Sequence, residues 1–426
     1  MRERQVGMIA RIMHLRLGAS WINPRRIRAH GMLLALCLWS VYFWNVATPG
    51  LRDRGGNLKG TDFLHFYTLG TLALEHRGSA LYDMQAQSAL AAQRVPEAVG
   101  IRYLPLYPPQ VSILFAPLAR FSYGWALGCW LLANAILYAA CCYGIWRVCP
   151  NLRNSGATVL ILAIAFPPFW HLIAWGQTSG LALVCFTLGF LALRSGKQFL
   201  AGLALGCLAF KPQLGLAAAI VFLFTFRWRI LAGAMVSVCA EFLMGVSYYG
   251  PGPLRQWVRV LWDAPHMSQM LEPRIYQTYS LRTFWAMLLP WTWVSFGLYV
   301  ICAIFVCALA VKCWRGDFAL PLRYSALLLA TVLIAPHLTV YDLAILAPAF
   351  LLSCDWISGG ENRPATSPLK LLLYFSFVLP LLGPLARWTH VQLFVPVAFG
   401  LLYELWRAGK DQFVGAPREI PDLASK

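Results

Sequence analysis

Long apolar runs recur along this chain from residue 31 to residue 406, and they constrain the fold more than any other feature. Hydrophobic residues make up 59% of the sequence and charged residues only 12%, which is too little charge to cover a water-soluble surface. A membrane β-barrel needs short alternating segments, whereas these runs are unbroken. Helices are the other way to satisfy the backbone in lipid. We therefore predict an all-α polytopic membrane protein with about 12 transmembrane helices, or roughly 11 to 13.

The net charge of +18 is explained by membrane topology once the positions of the charges are considered. Seven arginines and a single acid, Glu3, precede the first apolar run, which is typical of a cytoplasmic N-terminus. Residues 1–30 are thus predicted to be a basic cytoplasmic segment, too long for a signal peptide. Such a segment can contact anionic membrane lipid. No nucleic-acid partner is inferred.

Two long polar stretches, residues 49–104 and 249–282, interrupt the apolar runs. With the N-terminus inside, both are expected to be outer loops of one membrane domain, residues 31–406, which a cytoplasmic tail, 407–426, follows. The apolar spacing after Thr61 and Asp62 predicts a helix along the membrane surface in the first loop, with these two residues at its N-cap.

Asp62 is also the most conspicuous of only 17 acidic residues, because His65 and Tyr67 follow it on the next turn. An N-cap is the commoner role for an aspartate in this position. A role in the chemistry of the protein is the alternative.

Polar side chains interrupt the later apolar runs. Lys211 stands with Pro212 in the middle of a long run, where a lysine costs about 2.5–3.5 kcal/mol on insertion scales. It is therefore expected to face a cavity or an anion, and the run is either one crossing or two short helices. Gln177 raises the same question. His337 and Asp342 lie around a turn where one run stops and the next begins.

Several chemistries are not indicated by the sequence. It has no nucleotide-binding or metalloprotease motif at a credible position. Neither outer loop has an Asp-x-Asp or Asp-x-Glu pair, the usual ligand of a nucleotide-sugar metal. We predict no metal site and no cofactor.

Five sequence blocks, in order, resemble those of a known enzyme family. They are TDFLHFYTLG with GSALYD, YLPLYPPQVSILFAPL, WGQTSGLAL, AGLALGCLAFKPQLGL and APHLTVYDL. Together they resemble the GT-C superfamily and, more narrowly, glycosyltransferase family 87, which contains polyprenol-phosphate-mannose-dependent α-mannosyltransferases and some arabinosyltransferases. The chain departs from the pattern at His65 and Phe66, which leaves the preference for the acceptor open.

The resemblance implies a GT-C-like helical bundle in the inner (plasma) membrane, with its active site facing outward. The implied partners are a polyprenyl-phosphate-linked sugar donor, with mannose expected, and a glycolipid or glycan acceptor of the cell envelope. Asp62 would be the catalytic base of a metal-independent, inverting single displacement. Candidate ligands of the donor phosphate or sugar are Lys211, His337, Gln177, Arg274 and Arg282. Candidate residues of the acceptor pocket are His65, Tyr67, Tyr107 and Asp342.

Three alternatives stay open. The same fold could use arabinose or another hexose as the donor sugar. Lys211 and Glu241, both inside apolar runs, would also suit a membrane transporter or a lipid flippase. Against transport, the sequence has no internal repeat, and a large outer loop directly after the first helix is more typical of an enzyme. A non-catalytic assembly partner is the third alternative.

Overall fold

The computed structural model describes residues 22–267, 270, 272, 274–316, 318–360 and 366–414. Regular structure within these ranges is helical, and β pairing is limited to two isolated bridges. The predicted all-helical membrane fold is therefore confirmed. Most of the predicted basic segment, as residues 1–21, and the end of the predicted tail, 415–426, lie outside the described residues.

Residues 22–249 of the described chain fold into eleven α-helices, several of them short. They are α1 (Pro24–Val46), α2 (Thr61–Leu74), α3 (Met84–Arg94), α4 (Gln110–Phe115), α5 (Tyr123–Arg147), α6 (Gly156–Ala165), α7 (Pro167–Trp175), α8 (Ser179–Arg194), α9 (Gln198–Gly206), α10 (Leu216–Phe224) and α11 (Trp228–Tyr249). A 3₁₀ turn, Pro212–Leu214, follows Lys211 and separates α9 from α10. The helical run is thus interrupted at Lys211, in agreement with the alternative of two short helices over that of one crossing.

The described residues of the second half continue the helical pattern. The helices are α12 (Pro251–Asp263), α13 (Leu281–Leu288), α14 (Thr292–Arg315), α15 (Leu320–Ile334), α16 (Ala347–Ser358), α17 (Thr366–Val378), α18 (Ala386–Thr389) and α19 (Phe394–Val414). A 3₁₀ segment, Val340–Leu346, leads directly into α16.

Six helical segments of the described chain are long and apolar enough to cross a membrane. They are Pro24–Val46, Tyr123–Arg147, Trp228–Tyr249, Thr292–Arg315, Val340–Ser358 and Ser367–Thr389. A seventh is the pair Pro150–Ala165 and Pro167–Trp175, bent by 46°. Four shorter apolar helices add to these. The number of spans, predicted as about 12, is not confirmed by this arrangement.

Proline explains where apolar sequence fails to become a long helix. The run 105–119 forms only the short helix α4, because Pro105, Pro108 and Pro109 precede it and Pro117 follows it. Proline removes a backbone donor and disfavours helical geometry in the residue before it. The run 105–119, predicted as a span, is therefore a short helix with irregular backbone before it.

The predicted helical first loop is confirmed, but its first helix does not lie along a surface. Every residue from Phe63 to Ala73 of α2 is buried, and the helix packs against α3, α4, α5 and α7. An amphipathic surface helix would leave one polar face exposed. The apolar spacing in the sequence instead reflects contacts with protein on most sides of the helix.

Candidate active site

Helix α2 begins at a glycine that sets the position of Asp62. Gly60 is the N-cap, with a left-handed φ of 62° and no side-chain cap. A Cβ at this position would also overlap the side chain of Leu127. The Tyr123 hydroxyl donates to the Gly60 carbonyl at 2.9 Å. The prediction that Thr61 and Asp62 cap the helix is therefore wrong, and the Asp62 carboxylate is left available for another partner.

That partner is Gln177, in the turn between α7 and α8. Its Nε2 donates to Asp62 Oδ2 at 2.7 Å and to the Tyr341 hydroxyl at 3.1 Å. The Tyr107 hydroxyl donates to Gln177 Oε1 at 3.4 Å. Asn134 fixes the backbone below, because its Nδ2 donates to the Gln177 carbonyl at 3.2 Å. Residues from four other segments of the chain thus contact Gln177, three of them at its side-chain amide.

The surroundings of Asp62 tune its acidity. Burial raises the pKa of the Asp62 carboxyl to about 6, against the lowering effects of the Gln177 hydrogen bond and the Lys211 charge. A carboxyl group with that pKa is largely ionised at neutral pH and accepts a proton more readily than an ordinary aspartate. This is the acidity expected of a general base.

Next to Asp62 lies a buried ion pair between Lys211 and Asp342. Lys211 Nζ is 2.5 Å from Asp342 Oδ1, and the two residues are only 5% and 1% exposed. Ser179 Oγ donates to the same oxygen at 2.5 Å. The backbone N–H and the hydroxyl of Thr339 donate to Asp342 Oδ2, each at 3.2 Å. The carboxylate of Asp342 is therefore fully engaged by the protein.

Lys211 is also close to the Asp62 group through an aromatic ring. Its Nζ lies 5.3 Å from the centre of the Tyr341 ring, and Tyr341 accepts the hydrogen bond from Gln177. Of the predicted cavity or anion, the structure gives Lys211 an anion, the carboxylate of Asp342. Its role towards a donor phosphate stays a prediction, as do those of Gln177 and Asp342.

A second charged group lies at the turn before Asp342. His337 Nδ1 is 2.8 Å from Glu272 Oε1, and Arg282 pairs with the same carboxylate and with the Pro336 carbonyl. Burial alone would raise the pKa of Glu272, but His337 and Arg282 hold it below its ordinary value. This arrangement connects two of the predicted phosphate ligands through an acid.

Three of the predicted site residues lie apart from the Asp62 group or at its edge. Tyr67 points away from the Asp62 group, since its hydroxyl donates to the Phe121 carbonyl at 2.9 Å. It follows Asp62 by five residues, which is well over one helical turn. Arg274 is exposed and makes no ion pair with any residue in the described ranges. His65 lies three residues after Asp62, with its ring centre 5.8 Å from that of Tyr107.

Sequence reasoning missed several members of the group: Tyr341, Ser179, Thr339, Asn134 and Glu272 as a partner of His337. Ser179 is two residues after Gln177, and Tyr341 directly precedes Asp342, so both blocks contained the signal. Asn134 lies in an apolar helix and is 0% exposed. A buried amide in such a helix has to find a hydrogen-bond partner, which is a usable signal.

Neither metal ligands nor disulfides mark the site. In the ranges that the structure describes, no three His, Cys, Asp or Glu side chains gather as a metal site would require. All twelve cysteines fall within those ranges and are free. The functional groups of the site that could take part in a reaction are the carboxylates, the cations and the hydroxyls named above.

Comparison with known protein families places part of this site within a family model. The model of glycosyltransferase family 87 matches residues 106–336, which contain Tyr107, Gln177, Lys211 and Glu272 and end just before His337. No curated protein and no solved structure matches the chain.

Proposed function

Since the chain belongs to glycosyltransferase family 87 and is a membrane glycosyltransferase, we propose that it moves mannose from a polyprenyl-phosphate donor. The acceptor is a glycolipid or glycan of the cell envelope. The protein resides in the inner membrane with its N-terminus in the cytoplasm, and the reaction takes place on the outer side.

The observation that carries this proposal is the environment of Asp62. Its carboxylate is held by Gln177 at 2.7 Å, and its pKa is raised to about 6 by burial. One Asp62 oxygen is engaged by Gln177, which leaves the other for the hydroxyl proton of an acceptor. A positioned base of this kind contributes about 10²–10⁴-fold to rate.

The proposed reaction is a single in-line displacement. The acceptor oxygen attacks the anomeric carbon, its proton passes to Asp62, and the bond between the anomeric carbon and the phosphate oxygen breaks. The phosphate leaves as a stable anion and needs no protonation. A β-linked mannosyl donor would then give an α-mannoside.

The leaving phosphate needs positive charge near the base. Lys211 supports this role because it lies beside the Gln177 and Tyr341 pair, and Arg282 supports it from the adjoining turn, where His337, which shares its carboxylate partner, can donate a hydrogen bond to the phosphate. Cations placed where negative charge develops stabilise the transition state. Each cation is also held by an acid, so its charge is positioned before the donor arrives.

Transfer assays test the proposal. Radiolabelled sugar is followed from synthetic polyprenyl-phosphate mannose into a membrane-lipid extract, with wild-type protein and Asp62→Asn compared. We expect the rate to fall about 10²–10⁴-fold in the variant, because the amide cannot accept the proton. Polyprenyl-phosphate arabinose and glucose are run in parallel to identify the sugar.

Asp263→Asn is the matched control, since this aspartate is exposed at the end of α12. It should keep wild-type activity. A folded Asp62→Asn protein with full activity would refute the role of the base. Silence of the wild-type protein with every lipid-linked sugar would refute the proposed donor.

A further inference from the structure

A narrow cleft adjoins the Asp62 group on the same side of α2. It is lined by His65, Leu69, Leu81, Tyr82, Tyr107 and Ser112, and by a wall of three prolines. Tyr107 belongs to both sites, since its ring lines the cleft while its hydroxyl contacts Gln177 at 3.4 Å. His65 is three residues after Asp62 and therefore lies one turn along the same helix face.

His65 is the unusual member of this lining. It is only 4% exposed, yet neither ring nitrogen has a hydrogen-bond partner within the described part of the chain. Two hydroxyl groups from neighbouring residues are used elsewhere. Tyr103 donates to the Thr61 carbonyl, and Ser112 donates to the Pro109 carbonyl at 2.6 Å. The cleft as it stands is too narrow to admit a water molecule.

An unsatisfied buried imidazole costs free energy, and a protein keeps such a group when something else completes it. Burial lowers the pKa of His65 to about 4, so the ring is neutral and offers one donor and one acceptor. A hydroxyl group is both donor and acceptor and therefore suits either nitrogen. None of the lining side chains carries a charge at neutral pH, so the cleft suits an uncharged ligand and not a phosphate.

We propose that this cleft binds the acceptor saccharide, with His65 contacting hydroxyl groups of the sugar beside the one that reacts. The proposal rests on the function proposed above and specifies its acceptor as a sugar. The rings of Tyr82 and Tyr107 supply apolar faces for the C–H groups of a sugar. The reacting hydroxyl would then lie one helical turn away, at Asp62.

Entry of a sugar into this cleft requires one hydrogen bond of the lining to break. The Tyr82 hydroxyl donates to the Tyr107 carbonyl at 3.0 Å and closes the lining on that side. A sugar that enters replaces this bond with its own hydroxyls. His65 would thus be a specificity-determining residue whose partners arrive with the substrate.

His65→Leu gives a result that separates this role from ordinary packing. Removing an unpartnered imidazole should raise the thermal unfolding midpoint, whereas removing a histidine that stabilises the fold would lower it. The same change should weaken acceptor binding by about tenfold, the effect of one lost hydrogen bond of about 1.4 kcal/mol. His65→Asn keeps a donor and an acceptor and should recover part of the binding.

Binding is measured without turnover, by saturation-transfer-difference NMR of octyl α-D-mannopyranoside on the purified protein in nanodiscs, with octane-1,2-diol as the chain-matched probe. Transfer kinetics follow, and the KM for the acceptor should rise in His65→Leu while the KM for the donor stays constant. His171→Leu is the control, since Nδ1 of this half-buried histidine also lacks a partner in the described residues but does not line the cleft.

The outcomes separate the two proposals. Loss of octyl mannoside binding in His65→Leu without any transfer by wild-type protein would support the cleft and refute the proposed donor. Active, Asp62-dependent transfer with unchanged glycoside binding and KM in His65→Leu would refute the cleft. If His65→Leu lowers the thermal unfolding midpoint, and His65→Asn has wild-type stability but no recovered binding, the histidine has a packing role. That result would also overturn the proposal.

Discussion

At the scale of single residues, the site depends on one amide that holds one carboxylate. Gln177 donates to Asp62 and accepts from Tyr107, so it fixes both the orientation of the base and the near wall of the cleft. A base held by a second residue loses less entropy when the substrate arrives. Asp62 and Gln177 therefore act as a unit, although 115 positions separate them.

The rate of transfer should depend on pH through Asp62. Because the base works only when ionised and its pKa is about 6, kcat/KM should rise with pH below about 6 and level off above it. Gln177→Leu removes a hydrogen bond that lowers this pKa, so the midpoint should move to higher pH. Initial rates between roughly pH 4.5 and 8 measure both midpoints; identical acid limbs in the two proteins would contradict this assignment.

Sequence reasoning reached the charged residues of the site and missed the neutral ones. Asp62 and Lys211 are conspicuous because charge is scarce in an apolar chain. Tyr341 and Asn134 look like ordinary parts of hydrophobic segments. Their roles come from contacts between distant positions, such as the 164 that separate Gln177 from Tyr341, and no local pattern encodes such pairs.

At the scale of helices, close packing of α9 against α11 is built on glycine. A Cβ at Gly202 would overlap the Ile230 carbonyl, one at Gly206 the Ala234 carbonyl, and one at Gly233 the Phe199 carbonyl. In lipid, where apolar burial gives little drive for association, small residues let helices approach and gain van der Waals contact. The contact between α9 and α11 thus fixes the beginning of the segment that leads to Lys211.

Gly202→Ala should therefore separate the two helices and cost about 1–3 kcal/mol. Thermal unfolding of the purified protein, followed by size-exclusion chromatography, measures the loss. Gly297→Ala in α14 is the control, because nothing lies within 4 Å of its added Cβ and alanine favours a helix. Equal stability of the two variants would show that the contact is not tight.

The sequence predicts that apolar helices exist better than it predicts where they begin and end. The run 105–119 is apolar enough for a span, yet its prolines make it the cleft wall. The run 283–313 is split near Pro290, so α13 and α14 are separate helices. Hydropathy reports the affinity of a segment for lipid and says little about whether it meets lipid or protein.

At the scale of the whole molecule, α11 links Arg227, which precedes it, to the contact that its other end makes with α2. Arg227 directly precedes α11. Near the other end of α11, the Tyr248 hydroxyl donates to the Ala73 carbonyl of α2 at 2.9 Å. By the positive-inside rule we predict a cytoplasmic Arg227 and, with α11 crossing the membrane, an outer α2 with the proposed base Asp62.

Fusions of alkaline phosphatase, which folds only outside the cytoplasm, test this orientation. A fusion after Asp263 should be active and one after Arg227 inactive, while green fluorescent protein at the same positions should give the opposite pattern. Phosphatase activity of the fusion after Arg227 would show the opposite orientation, with Asp62 on the cytoplasmic side.

The ion pair of Lys211 and Asp342 also has a consequence for how the protein is made. The ribosome completes Lys211 before the 131 residues that lead to Asp342, which takes on the order of 10 s at typical synthesis rates. For that interval Lys211 lacks its ion-pair partner, and a lysine at depth in lipid costs about 2.5–3.5 kcal/mol on insertion scales. We therefore expect the segment around Lys211 to reach its final depth only after Asp342 has been made.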